Sequence, residues 1–226
     1  MPRCYVALGG NVGPVEQTFR EALQRLASNA GLRVGRVSGS YRTRAVGEVA
    51  GDEFVNAVAE VETDLAATEL LARLHTCEHQ FGRTHDVRWG PRPLDLDLIF
   101  YGDDVIDRPD LQVPHPACWY RRFVLDPLAE IAAEVIHPTK HVSVGELRSR
   151  LLLRPLPVAL AGGIPQLRER IQQHIQAEFP ETRCELWEPA VHVAESEPAL
   201  LFWLGASENS QSPVRGFKQL PLLPRF

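Results

Sequence analysis

The order of the predicted elements favours an α+β fold, a ferredoxin-like sandwich of helices on a mostly antiparallel sheet, followed by a small C-terminal appendage. Three observations predict this class. The chain has 226 residues, enough for one full domain and a smaller unit. Its 44% apolar and 23% charged residues are typical of a globular protein. Its apolar spacing switches between period 2 and period 3.6 in the order β-α-β-β-α-β.

Each element of the first domain is predicted from that spacing and from the glycines, prolines and caps that bound it. In chain order we expect a buried strand at 5–8, a helix from Val15 to before Gly31, an exposed strand at 32–43, a loop at 44–53, a strand at 54–63, a helix with an apolar stripe from Leu70 to Phe81, a loop at 83–93, a central strand at 94–101, short strands at 105–106 and 111–113, a helix from Phe123 or Val124 to Ala132, and a helix from a Ser143–Glu146 capping box to Leu152.

A second region follows this first domain, which we place at residues 1–155. Residues 156–226 are predicted to be a C-terminal extension, to which the sequence assigns neither a role nor a protein partner. The segment 155–163 is rich in proline and glycine, which is typical of a linker. We expect a small αββ appendage or docking arm after it, with an amphipathic helix at 164–179 and strands at 183–187 and 200–204.

Composition excludes several classes of protein. The net charge is −5, from 24 basic and 29 acidic residues, which argues against nucleic acid as a partner. The N-terminus lacks a signal-peptide pattern and no apolar run approaches roughly 20 residues, so we expect a cytoplasmic protein without membrane association. The 4 cysteines are widely separated, which predicts free thiols rather than disulfides or a zinc site.

An aspartate pair carries the strongest chemical signal. Asp95 and Asp97 lie two residues apart on a predicted strand, so their backbones are about 7 Å apart on one face, while Leu94, Leu96, Leu98 and Phe100 are expected to face the core. Two neighbouring carboxylates favour a bound cation, and hard oxygen ligands favour magnesium. An amphipathic strand with its polar face in water is the alternative interpretation.

Cationic side chains flank this pair in sequence. Magnesium between carboxylates with arginines around it is the arrangement that phosphoryl transfer needs. Solvated surface arginines are the alternative, especially for Arg88 and Arg122. A P-loop enzyme is excluded because no G-x-x-x-x-G-K-[ST] motif occurs. The flanking residues are Arg83, Arg88 and Arg92 upstream, and His115, Arg121 and Arg122 downstream.

Taken together, these motifs resemble the 6-hydroxymethyl-7,8-dihydropterin pyrophosphokinase family. The resemblance runs from about Cys4 to Leu153, and its most specific part is the arginine-tryptophan-glycine-proline-arginine run joined to the aspartate pair. The matching segments, in chain order, are 5–13 (YVALGGNVG), 41–43 (YRT), 54–57 (FVNA), 88–97 (RWGPRPLDLD), 113–115 (VPH) and 121–123 (RRF).

The resemblance implies an activity and a site. Members of the family move the β,γ-pyrophosphoryl group of ATP to the hydroxymethyl oxygen of the pterin and release AMP, in folate synthesis. By resemblance, Asp95 and Asp97 would bind two magnesium ions, and Arg83 and Arg92 would stabilise the transferred group. The substrate positions implied are Glu78, Trp89, Arg92, Leu98, His115 and Arg121 for ATP, and Thr43, Val46, Phe54, Asn56 and Phe123 for the pterin.

Three residues depart from the family pattern, and two other functions stay open. Gly10 stands where serine is usual, Arg44 where proline is usual, and Pro116 where an aromatic residue often occurs. A two-metal nucleotidyltransferase also uses a glycine turn and an aspartate pair, but in that class they are close neighbours, whereas Gly9 and Asp95 are separated here by two predicted helices and two strands. A regulator that binds nucleotide and pterin without turnover is the second alternative.

Overall fold

The computed structural model describes residues 1–44, 53–82, 92–187 and 198–204. The chain divides into two compact units, Met1–Arg148 and Ser149–Phe226. Among the described residues, no helix is both long enough and apolar enough to cross a membrane.

The first unit is an antiparallel sheet with helices on both faces. Its elements are β1 Arg3–Gly10, α1 Val15–Ala27, β2 Leu32–Val37, β3 Tyr41–Arg44, β4 Glu53–Thr63, α2 Ala67–Gln80, β5 Asp95–Tyr101, β6 Ile106–Arg108, β7 Leu111–Val113, α3 Arg122–Ala132 and α4 Val144–Leu152, the last of which extends across the boundary between the units. The strand order is β2-β4-β1-β5, and β3 also pairs with β4. This arrangement confirms the predicted α+β class with a mostly antiparallel sheet.

Alternation along the strands divides the side chains between two cores. On one face, Leu8, Ala57 and Leu96 pack with residues of α1 and α2 such as Phe19 and Leu74. On the other face, α3 packs against β1, β3 and β4. Full burial of a leucine or phenylalanine stabilises a fold by about 1.5–3 kcal/mol, so these two layers fix the sheet firmly.

Two strand predictions need correction. The single strand expected at 32–43 is two strands, because Ser38 leaves the regular ladder: its N–H donates to the oxygen of Val58 and its Oγ accepts the N–H of Val58, both at 2.9 Å. Phe100 does not share a face with Leu98, because the register shifts between Tyr5 and Val6. Phe100 packs instead edge-on against Tyr5, with ring centroids 6.1 Å apart.

The second unit contains a small parallel sheet. Its elements are β8 Leu156–Ala161, α5 Pro165–Glu178, β9 Thr182–Leu186 and β10 Leu200–Trp203, and the strand order is β10-β8-β9. The predicted linker at 155–163 is therefore wrong, since most of it forms the central strand. Val158 and Leu160 are buried against Ile171 and Ile175 of α5. The unit follows a βαββ order rather than the expected αββ.

Candidate active site

The two aspartates lie on β5, at one edge of the main sheet. Asp95 is opposite Gly9 of β1 and Asp97 is opposite Ala7. The intervening Leu96 is 2% exposed in the core, whereas Asp97 is exposed and Asp95 is half-buried. Since neighbouring residues of a strand point to opposite faces, both carboxylates lie on the sheet face away from Leu96.

Among the described residues, Arg92 contacts this pair through Asp95. Its Nη1 donates to Oδ2 of Asp95 at 2.7 Å, and both side chains are 21% exposed. Asn11, just after β1, holds the backbone of Arg92 from two sides. Its N–H donates to the Arg92 oxygen at 3.0 Å, and its Oδ1 accepts the Arg92 N–H at 2.8 Å. The arginine is therefore presented from a fixed backbone.

Asn11 was missed as a site residue by the sequence reasoning. The available signal was a polar amide directly after a Gly-Gly pair at the end of a strand. Gly10 packs against the same segment from β1, because a Cβ at this position would lie 2.7 Å from the Pro93 oxygen. Only glycine lets the two backbones approach so closely, so the departure from serine at Gly10 fits the local packing.

Glu78 reaches the site from behind β5. Its side chain is 1% exposed, and Oε1 accepts the N–H of Leu96 at 2.7 Å. In the described part of the chain β5 lies at the edge of the sheet, so alternate backbone amides face away from β1, and Glu78 accepts the one between the two aspartates. Its carboxylate points into the protein in this structure, whereas the resemblance implies that it contacts the nucleotide.

Leu98 is also turned away from the sheet face that carries the aspartates. Its side chain is 4% exposed and belongs to the core formed with α1 and α2. A nucleotide could therefore meet this residue only through its backbone.

His115 lies close to the aspartates and to Arg121. Burial lowers the pKa of His115, Asp97 and Asp95 oppose that shift, and Arg121 adds to it. The Nδ1 atom accepts the N–H of Ala117 at 3.2 Å, which places the proton of the neutral ring on Nε2. At neutral pH the ring is thus a neutral hydrogen-bond donor beside acidic groups.

Three predicted pterin residues share one part of the sheet. Thr43 is opposite Phe54 across β3 and β4, and Asn56 is 7% exposed. The amide of Asn56 donates to Oγ1 of Thr43 at 2.9 Å, which fixes its orientation. Gly9 lies between Asn56 and Asp95, and an added Cβ would be 3.8 Å from Asn56 Oδ1 and 3.7 Å from Asp95 Cβ. The lack of a side chain at Gly9 leaves space between the amide and the carboxylate.

Phe123 and Arg121 are at the start of α3. The Arg121 guanidinium lies over the Phe123 ring, 5.5 Å from its centroid. This contact joins a predicted ATP residue to a predicted pterin residue. Val46, Arg83 and Trp89 lie outside the described residues.

The carboxylates present suit magnesium in one specific way. Within the described part of the chain, no group of three histidine, cysteine or acidic side chains is placed to hold a metal. Magnesium is commonly held by one or two carboxylates together with phosphate oxygens of a substrate and water. Asp95 and Asp97 fit that pattern, in which the substrate supplies the remaining ligands.

Comparison with known proteins finds a family match over much of the chain. A sequence model of the 7,8-dihydro-6-hydroxymethylpterin-pyrophosphokinase (HPPK) family matches residues 5–133. The 2-amino-4-hydroxy-6-hydroxymethyldihydropteridine pyrophosphokinase of Synechocystis sp. is 44% identical over 142 residues, which are 63% of this chain and 72% of the relative. The enzyme of the same name from Bacillus subtilis is 42% identical over 131 residues, 58% of this chain and 78% of the relative.

A solved structure supports the fold. The structure described as HPPK-DHPS in complex with substrates aligns with a TM-score of 0.53 and 12% identity, covering 71% of this chain. The chain spans about half the length of that structure, since the alignment covers 50% of it. At this identity the likeness concerns the fold alone.

Proposed function

The chain belongs to the 7,8-dihydro-6-hydroxymethylpterin-pyrophosphokinase family, is therefore an enzyme of pyrophosphoryl transfer in folate biosynthesis, and on that premise we propose that ATP is its donor and that magnesium is required. The hydroxymethyl oxygen of the pterin forms a bond to the β-phosphorus of ATP, and the bond between that phosphorus and the oxygen bridging to the α-phosphate breaks. The products are the pterin pyrophosphate and AMP, and the hydroxyl proton is released.

The single observation that carries this proposal is the aspartate pair on the site face of β5, with Arg92 against it. Asp95 and Asp97 would hold magnesium, two ions in our proposal. Bound magnesium would neutralise charge on the triphosphate and orient its oxygens. Arg92 would exchange its carboxylate partner for oxygens of the transferred group when ATP binds, because a guanidinium binds phosphate with two parallel hydrogen bonds. Arg83 would add a second guanidinium.

The pterin is proposed to bind beside the aspartates. Asn56 offers both a donor and an acceptor to the edge of a heteroaromatic ring, and Phe54 and Phe123 offer aromatic surfaces for its faces. The gap at Gly9 lies between this amide and Asp95. The hydroxymethyl group would then meet the phosphate close to the carboxylates. Thr43 and Val46 complete the proposed pocket.

The nucleotide is proposed to lie along the other side of the pair. His115 would donate from Nε2 to a phosphate oxygen, and Arg121 would contribute positive charge close to it. The backbone at Leu98 and the side chain of Trp89 are the proposed contacts to the base and ribose, and Glu78 supports the site through the N–H of Leu96. Residues 156–226 carry no step in this proposal.

One experiment separates this function from both alternatives. The purified chain is incubated with ATP, magnesium and 6-hydroxymethyl-7,8-dihydropterin, and the nucleotide and pterin products are separated and quantified. We expect AMP and pterin pyrophosphate in equal amounts. Free pyrophosphate with a nucleotidylated pterin would instead identify a nucleotidyltransferase. Binding of both substrates without AMP would identify a regulator, and either result would overturn the proposal.

A further inference from the structure

Glu130 on α3 holds the start of β3 with both of its carboxylate oxygens. Oε1 and Oε2 accept the N–H of Gly39 at 3.0 and 3.1 Å. Oε2 also accepts the hydroxyl of Tyr41 at 2.9 Å. The contact crosses 91 positions of sequence and joins the helix on the site face to the strand at the far edge of the predicted pterin pocket. Hydrogen bonds to an ionised acceptor are stronger than neutral ones.

The strand held in this way carries contacts of the pterin residues. Tyr41 is paired with Asn56 across β3 and β4, and its backbone oxygen lies 3.5 Å from the Asn56 amide nitrogen. Two residues further on, Thr43 accepts the hydrogen bond that orients Asn56. The position of β3 therefore sets the direction in which Asn56 presents its amide.

The same helix also carries the opposite side of the pocket. Phe123 and Glu130 are seven residues apart on α3, so they lie two turns and about 10 Å apart on nearly the same face of the helix. Phe123 belongs to the proposed pterin pocket, and Glu130 accepts the hydrogen bonds of Gly39 and Tyr41 at the start of β3. One rigid element thus fixes both the aromatic group and the strand that orients the amide.

We propose that Glu130 is a positioning residue for the pterin, acting through Gly39 and Tyr41 to set the spacing between Phe123 and the Thr43–Asn56 pair. The proposal rests on the proposed function, because it takes Phe123, Thr43 and Asn56 as the pterin pocket. Glu130 does not touch the pterin itself. Its effect falls on pterin affinity, whereas Asp95 and His115 are held by other contacts.

The protonation of Tyr41 agrees with this arrangement. The hydrogen bond to Glu130 raises the pKa of Tyr41, with burial as the second cause. The hydroxyl consequently keeps its proton and donates throughout the neutral range. A substitution that removes only this hydroxyl therefore tests one of the hydrogen bonds to Glu130 without deleting the carboxylate.

The test measures pterin and nucleotide binding separately in the full chain. Oxidised 6-hydroxymethylpterin is titrated calorimetrically in the presence of magnesium and a non-hydrolysable ATP analogue, and the analogue is titrated in a second series. The variants are Glu130→Ala, Glu130→Gln and Tyr41→Phe. The matched control is Glu134→Ala, which removes the same charge from an exposed position just after the helix.

We expect Glu130→Ala to weaken pterin binding about 5-fold and Tyr41→Phe about 2- to 3-fold, a modest loss because these hydrogen bonds are exposed to water. Glu130→Gln should lose less than Glu130→Ala, because its amide oxygen still accepts the Gly39 N–H although Tyr41 loses its carboxylate acceptor. Affinity for the ATP analogue should stay within about twofold in every variant, and Glu134→Ala should match wild type in both titrations.

Specific results would overturn the inference. Unchanged pterin affinity in a folded Glu130→Ala variant would do so, and so would a parallel fall in pterin and nucleotide affinity, which indicates a general structural role. If Glu130→Ala does not fold, unchanged pterin binding in Tyr41→Phe decides against the inference. A wild-type chain that binds no pterin would overturn the proposed function as well, which distinguishes the two failures.

Discussion

Replacing Gly10 with alanine puts a methyl group where two other parts of the chain already lie. The added Cβ would be 2.7 Å from the Pro93 oxygen and 3.0 Å from Cγ1 of Val15. The first contact is with backbone, which cannot rotate away as a side chain can. Overpacking of this kind costs about 1–3 kcal/mol. Because Pro93 follows Arg92, the displacement is also expected to disturb the ion pair between Arg92 and Asp95.

Gly9→Ala is the matched control for this substitution. A Cβ at Gly9 meets Asp95 Cβ at 3.7 Å and Asn56 Oδ1 at 3.8 Å, which are ordinary contact distances. The methyl group fits without strain, and losing a glycine reduces the entropy of the unfolded chain. The same methyl group nevertheless fills the space between the proposed metal and pterin residues. Gly9→Ala should therefore keep its stability and lose turnover.

Thermal unfolding and steady-state kinetics measure the two effects. For a chain of this size, each kcal/mol shifts Tm by about 2–4 °C, so Gly10→Ala should melt about 2–12 °C below wild type. Gly9→Ala should melt within about 2 °C of wild type, since its free energy of unfolding changes by less than about 0.5 kcal/mol. Equal Tm values for Gly10→Ala and wild type, or a larger loss in Gly9→Ala, would refute the packing argument.

Three further predictions concern the aspartates, Glu78 and a buried histidine. Asp97→Asn should lower kcat by about 100-fold or more with an unchanged Tm. The control Asp107→Asn, at an exposed position of β6, should leave kcat unchanged. A normal kcat in Asp97→Asn would contradict the metal assignment. Glu78→Gln should keep the hydrogen bond to Leu96 and most of the activity. Glu78→Ala should raise the magnesium concentration needed for half-maximal rate. The same dependence of rate on magnesium in Glu78→Ala and wild type would refute this role. Burial lowers the pKa of His137 from 6.5 to about 4, so its contribution to stability is present above pH 6.5 and is lost as the pH falls toward 4. Chemical unfolding of wild type and His137→Gln at pH 7.5 and pH 4 should show their stability difference shrinking by about 3 kcal/mol, and a difference independent of pH would show that the histidine is not held neutral.

The elements of the first unit were predictable because each follows a regular apolar period. The helix from Val15 and the strands at 54–63 and 94–101 begin and end within a few residues of the predicted positions. The break at Ser38 was not predictable, because there a side-chain hydroxyl replaces a backbone partner. That substitution depends on the position of β4 and has no signature in the local sequence.

The strand β8 was mistaken for a linker for a different reason. Prolines at 155 and 157 and glycines at 162 and 163 flank its apolar run, and these residues usually mark loops. In the structure Val158–Ala161 is buried on both faces as the central strand of a parallel sheet. Such a strand lacks the polar alternation that identifies a half-exposed one.

The candidate site was predictable to the extent that it lies along single strands. Asp95 and Asp97 share a face by alternation alone, and so do Phe54 and Asn56 on β4. The hydrogen bond between Glu130 and Gly39 could not be predicted, since it joins residues 91 positions apart through the packing of α3. The same holds for Glu78, whose partner is a backbone amide of a different element.

Metal uptake by the aspartate pair tests the central claim most directly. Manganese, a paramagnetic substitute for magnesium, is titrated into the chain with a non-hydrolysable ATP analogue, and bound metal is followed by electron paramagnetic resonance. The wild-type chain should take up manganese when the analogue is present, and a chain carrying both Asp95→Asn and Asp97→Asn should lose that uptake. Undiminished manganese binding by the double variant would contradict the account.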